Sequence, residues 1–95
     1  MCDSNNNENT ETQRQREQFI ENQFFDDFET QFTKSQQNFG RVEGNINREL
    51  EELNRQRNMC TNILSRLRDP DNRFKIETLL DQVERKIKNR NEMLQ

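Results

Sequence analysis

The sequence predicts an all-α fold: an elongated coiled coil with one long helix, a shorter helix after Pro70, and a disordered N-terminal tail. Three observations predict it. Apolar residues recur at three- and four-residue steps from Phe25 to Leu67, and again from Ile76 to Leu94. Proline occurs once, at Pro70. Only 27% of residues are hydrophobic and 35% are charged, which is too little apolar material for a compact core but enough for a narrow stripe buried against other helices.

The first twelve residues, "MCDSNNNENTET", are Asn-rich and have no large apolar residue after Met1. Such a segment cannot bury enough surface to offset its ordering entropy, so residues 1–12 are expected to be disordered. Thr12 and Gln15 have the spacing of a capping box, in which hydroxyl and amide each satisfy an orphan backbone donor. The first helix is therefore expected over residues 13–68, roughly 84 Å long. Its stripe reads Phe25, Phe28, Phe32, Ser35, Phe39, Val42, Ile46, Leu50, Leu53, Arg57, Cys60, Leu64 and Leu67. Two four-residue steps in succession, Val42 to Ile46 to Leu50, make Phe39 to Leu50 an eleven-residue unit that relaxes left-handed supercoiling locally. Gly40 and Gly44 fall inside that unit, and each weakens a helix by about 1 kcal/mol relative to Ala. Three readings fit them: a bend, a close approach of a partner backbone, or a tolerated weak spot.

The stretch "RDPDN" is the strongest breaker. Pro70 lacks an amide hydrogen and suits the first position of a new helix, with Asp69 as its N-cap. A break is expected over residues 69–72 and a second helix over 73–95, roughly 36 Å long. Its stripe is Ile76, Leu80, Val83, Ile87 and Leu94, flanked by Leu79 and Met93 and interrupted by Arg90. Glu51–Arg55, Asp81–Arg85 and Glu84–Lys88 are four apart with the acid first, each worth about 0.2–0.5 kcal/mol to an isolated helix. Polar interruptions at Ser35, Arg57 and Arg90 are of the kind that fix register or partner choice.

These lengths imply association. A second helix of this size covers only the C-terminal part of the first, so the Phe-rich half from Phe19 to Phe39 is expected to lack a partner within the chain. Each fully buried Phe is worth roughly 1.5–3 kcal/mol, and such a stripe is not expected to stay wet. The candidate partner interface is Phe25, Phe28, Phe32, Phe39, Val42, Ile46, Leu50, Leu53, Cys60, Leu64, Leu67, Ile76, Leu80, Val83 and Ile87. Other coiled-coil chains are the expected partners, in a hetero-oligomer before a homo-oligomer.

No catalytic constellation is present. The chain has no His, which removes the usual general base and metal ligand. Its two glycines cannot form a phosphate-cradling loop. Asp26, Asp27 and Glu29 point in different directions around a helix and read as solvated. No cofactor, metal or enzymatic activity is expected. Cys2 and Cys60 have neither disulfide-framework nor metal-ligand spacing, and Cys60 reads as a small core residue. A formal charge of −3 is no nucleic-acid footprint. Arg85, Lys86, Lys88 and Arg90 suit a helix C-terminus and leave an anionic vesicle surface as an alternative contact. With no secretory or membrane-spanning apolar run, the expected location is cytoplasmic, with peripheral attachment to vesicles or lysosomes as a variant.

Two resemblances follow from specific residues. The spacing of Ser35-Gln36, Ile46, Glu49-Leu50 and Leu53-Asn54 resembles the middle helix of snapin-like proteins. "DP" at 69–70, followed by "KIETLLDQVERKIKNRNEMLQ", resembles that family's C-terminal helix through Ile76, Leu79, Leu80, Asp81, Arg85, Ile87, Asn91, Met93, Leu94 and Gln95. The two blocks are spaced differently here. The resemblance implies a small all-helical subunit of the complexes for lysosome-related organelle biogenesis and lysosome positioning, with a link to SNARE-dependent vesicle traffic. "REQFIE", Arg16 to Glu21, resembles small subunits of the fungal outer-kinetochore ring complex, without the later glycine pattern of that family.

Overall fold

The computed structural model describes the backbone of residues 2–95 and the side chains of residues 12–95. The chain forms three helices: α1 (Cys2–Arg41), α2 (Ile46–Leu64) and α3 (Pro70–Leu94). The disorder expected of residues 1–12 falls, Thr12 apart, outside the described side chains. α1 takes in Thr12, so the capping box there does not open the helix. The helices run up, down and up in a bundle of 68 × 20 × 14 Å, in which α2 packs against both α1 and α3.

The single long helix expected over residues 13–68 is thus corrected to a hairpin. The break is chemical. Gly44 has φ +93°, a backbone conformation that residues with a Cβ avoid. Asn45 follows in an extended conformation, and its Oδ1 accepts from the Arg48 amide at 3.3 Å. A left-handed Gly ends one helix and an Asn cap starts the next. Of the readings open for the two glycines, the bend holds at Gly44, while Gly40 lies within α1. The break before α3 is as expected. Asp69 is the N-cap, its Oδ2 accepting from the Asn72 amide at 3.3 Å, and Pro70 opens the helix. Arg73 closes the end of α2, donating from Nη1 to the carbonyls of Leu64 and Leu67 at 2.9 and 3.0 Å.

The hairpin overturns the geometric argument for an uncovered Phe stripe. Phe28 and Phe32 are buried by the chain itself, only 6% and 5% exposed. Their rings pack at 5.2 Å between centroids, and Phe25 stands 6.4 Å from Phe28. Leu53, Cys60, Ile63 and Leu67 from the second arm, and Ile76, Val83 and Ile87 from α3, complete the core. Folding the arms together removes two full Phe side chains from water, roughly 3–6 kcal/mol in all.

Seam register differs from expectation in α2. In α1 the buried and half-buried positions follow the expected ladder from Phe25 to Val42, extended back to Glu21. In α2 the corresponding ladder runs Ile46, Glu49, Leu53, Gln56, Cys60, Ile63 and then Leu67, with Glu52 buried beside it and Leu50, Asn54, Met59 and Leu64 half-buried. Glu49, not Leu50, occupies the seam, and Gln56 stands where Arg57 was expected; Arg57 is exposed. The eleven-residue unit therefore dissolves, because the steps from Phe39 to Leu53 alternate three and four throughout.

Candidate interaction surface

Five polar residues lie buried among the apolar ones: Glu21, Ser35, Glu49, Glu52 and Gln56. Most are tied across helices, as buried polar groups must be. The Ser35 hydroxyl donates to Glu52 Oε1 at 3.0 Å, joining α1 to α2. Glu52 also accepts from Arg55 Nη1, at 3.0 Å on Oε1 and 2.7 Å on Oε2, so Arg55 pairs with Glu52 rather than with Glu51. Glu21 Oε1 accepts from the Arg68 amide and, at 3.0 Å, from the Asp69 amide, pinning the α2–α3 loop to α1. Arg90 reaches back from α3 to Glu49 at 3.5 Å, with its Nε left unpartnered. These ties set which residues of the three helices stand level.

Between α1 and α3 the packing is different. A groove of about 430 Å³ is lined by Phe25, Phe28, Phe74, Thr78 and Leu79, with Glu29 and Lys75 beside it. The Lys75 ammonium stands 5.9 Å from the Phe25 ring beside the groove; further along the two helices, Lys86 stands 5.9 Å and the Arg90 guanidinium 5.6 Å from the Phe39 ring. Such contacts contribute about 0.5–1 kcal/mol each at exposed sites. Phe74, on the groove edge, is 70% exposed. Residues 12–20 of α1 are exposed on every side, including Phe19 and Ile20.

No protein family model, no curated protein and no solved structure matches this chain. Its surface must be read from the residues alone.

The expected interface residues are all buried or half-buried within the single chain. Phe28, Phe32, Leu53, Cys60, Leu67, Ile76, Val83 and Ile87 are buried within the single chain. Phe25, Phe39, Val42, Ile46, Leu50, Leu64 and Leu80 are half-buried. The exposed apolar residues are others: Phe19, Ile20, Phe74, Met93 and Leu94. Phe74 was legible in principle, since it falls off the Ile76–Leu80–Val83 stripe and is the one Phe outside α1.

The basic group on α3 is largely committed. Arg85 Nε pairs with Asp81 at 3.1 Å, Arg90 with Glu49, and Lys86 lies over Phe39. Burial, with a smaller contribution from the Glu84 charge, pushes the Cys60 thiol up to about 11. Cys60 is fully buried and stays a thiol at neutral pH, so it is packing material rather than a nucleophile. Among the described residues no group of three or more Cys, Asp or Glu side chains is placed to hold a metal ion. Among the described residues no helix is long and apolar enough to cross a membrane.

Proposed function

We propose that this chain is a non-enzymatic helical subunit that assembles with other helical chains, and that its partner helix lies in the α1–α3 groove. The carrying observation is Phe74, a large aromatic left 70% exposed at the edge of a groove floored by Phe25, Phe28 and Leu79. A three-helix bundle in which the middle helix makes most of the contacts presents a slot for a fourth. Aromatic anchors beside a pocket are the residues that dominate helix-in-groove binding. Phe19 and Ile20, exposed on α1 at the level of the α2–α3 loop, add further apolar surface. Placement of the assembly in lysosome or vesicle traffic rests on the snapin-like residues described above, and a cytoplasmic location goes with it.

The test is cross-linking mass spectrometry on the full chain purified from its native cell. Cross-links from Lys75 to a helical segment of another protein, absent in a Phe74→Ser variant of unchanged helicity, support the reading. Recovery of the chain alone, with native-concentration monomers in wild type and variant alike, rejects it.

A further inference from the structure

The α1–α2 turn lies at a place where the stripe does not notice it. Phe39, Val42, Ile46, Glu49 and Leu53 are spaced three, four, three and four, the repeat of an unbroken helical seam. A hairpin imposes no such condition. Its two arms pack whatever their relative phase, and a linker longer or shorter by one residue would rotate one stripe by about 100° against the other in a continuous helix. Here the phase is kept across the turn.

We propose that residues 43–45 are an exchangeable joint: the chain straightens through them into one helix, and two copies form a two-fold dimer in which α1 of each packs on α2 of the other. Little has to change. The backbone is still helical at Val42, whose amide bonds to the Asn38 carbonyl at 3.2 Å. The turn is held by the φ of +93° at Gly44 and by the Asn45 cap. The Asn45 amide also bonds to the Val42 carbonyl at 3.0 Å, and a Cβ at Gly44 would meet nothing within 4 Å, so Ala there strains the backbone angle without a steric clash. Contacts broken on opening re-form between copies, Ser35 to the partner copy's glutamate included, which is why exchange of identical elements is a low-cost route to dimers.

A second observation fits the same arrangement. Arg90 stands level with Glu49, one turn from Asn45, so Leu94, one turn further along α3, lies at the level of the joint. Met93 and Leu94 are both exposed there. In the exchanged dimer the two α3 ends meet across the two-fold axis, and these four side chains cover one another.

The deciding variant is Gly44→Ala in the full chain. An L-residue at this φ disfavours the closed turn by roughly 5- to 30-fold per chain, so the association constant should rise by the square of that factor, roughly 25- to 900-fold. Size-exclusion chromatography with light scattering reads the mass, and small-angle X-ray scattering reads the length. The exchanged dimer is end-to-end about the joint, about twice the 68 Å of the closed bundle. Two controls isolate the joint. Gly40→Ala, within α1 and also free of neighbours within 4 Å, should behave as wild type. D-Ala at position 44, introduced by chemical synthesis, favours positive φ and should hold the monomer. A Gly44→Ala chain that stays monomeric, unfolds, or dimerises side by side without lengthening overturns the proposal, as does a D-Ala chain that dimerises equally well.

Discussion

Ser35 and Glu52 meet 17 residues apart in sequence, hydroxyl to carboxylate at 3.0 Å, in the α1–α2 interface. The pair sets the hairpin's register, because sliding either arm by one turn breaks the hydroxyl–carboxylate bond and sets the Glu52 carboxylate against Phe32 or Phe39. Ser35→Ala removes one hydrogen bond and leaves Glu52 with Arg55 and solvent at its edge. The expected loss is about 1 kcal/mol in urea unfolding. A variant as stable as wild type would mean that the register is set by the Phe residues alone.

Glu49 and Arg90 are a mostly buried pair with imperfect geometry, 3.5 Å apart and with Arg90 Nε unpartnered. Desolvation of such a pair often exceeds its attraction. Replacing both by Leu is expected to leave the protein as stable or to stabilise it by about 1–4 kcal/mol. Glu49→Leu alone should destabilise, because the guanidinium then lies over Phe39 without its counter-charge. A thermal-melt double-mutant cycle checks the sign of each arm.

Glu21 holds two backbone amides of the α2–α3 loop. Glu21→Ala leaves those donors without a protein partner at the point where α3 begins, at a cost of about 1–3 kcal/mol. The loss should be local. Hydrogen exchange at Arg68, Asp69 and the first turn of α3 should speed up, while amides around Ile87 keep their protection. Uniform acceleration would show that the loop anchor stabilises the whole bundle instead.

Cys60 gives the bundle a pH dependence of known sign. Its folded pKa is raised to about 11, so the folded chain holds the thiol proton more tightly than the unfolded chain does. Stability from this group is complete below the unfolded value of 9.0 and falls as pH rises from there towards 11. The expected slope in that window is about 1.4 kcal/mol per pH unit. Cys60→Ala should lower stability at pH 7 through the lost packing and abolish the slope; a slope that persists in the variant assigns it to other groups.

Several features were legible in the residues themselves. Helix is encoded by stripe spacing and by the absence of proline before Pro70. The α3 cap is encoded in Asp69-Pro70, since a carboxylate and a missing amide hydrogen act within one turn whatever the rest of the chain does. The α1 ladder from Phe25 to Val42 and the α3 ladder from Ile76 to Ile87 read correctly for the same reason: periodicity is local. Of the residues expected as a partner interface, Phe28, Phe32, Leu53, Cys60, Leu67, Ile76, Val83 and Ile87 are seam positions that the chain itself covers.

Tertiary structure decided the rest. A sequence pattern shows that Phe28 and Phe32 must be covered, but not by what. Gly44 settled that by turning the chain back on itself, and its signal was weak because an unbroken three-four repeat runs through it. Glu49 and Gln56 lie in the seam although they are polar, because Arg90 and the close-packed neighbours of α2 are brought to them only when three helices stand level. Local spacing fixes which face of α1 and of α3 is buried; the face of α2, and the direction in which each face finds its cover, depend on one backbone angle and on contacts between residues far apart in the chain.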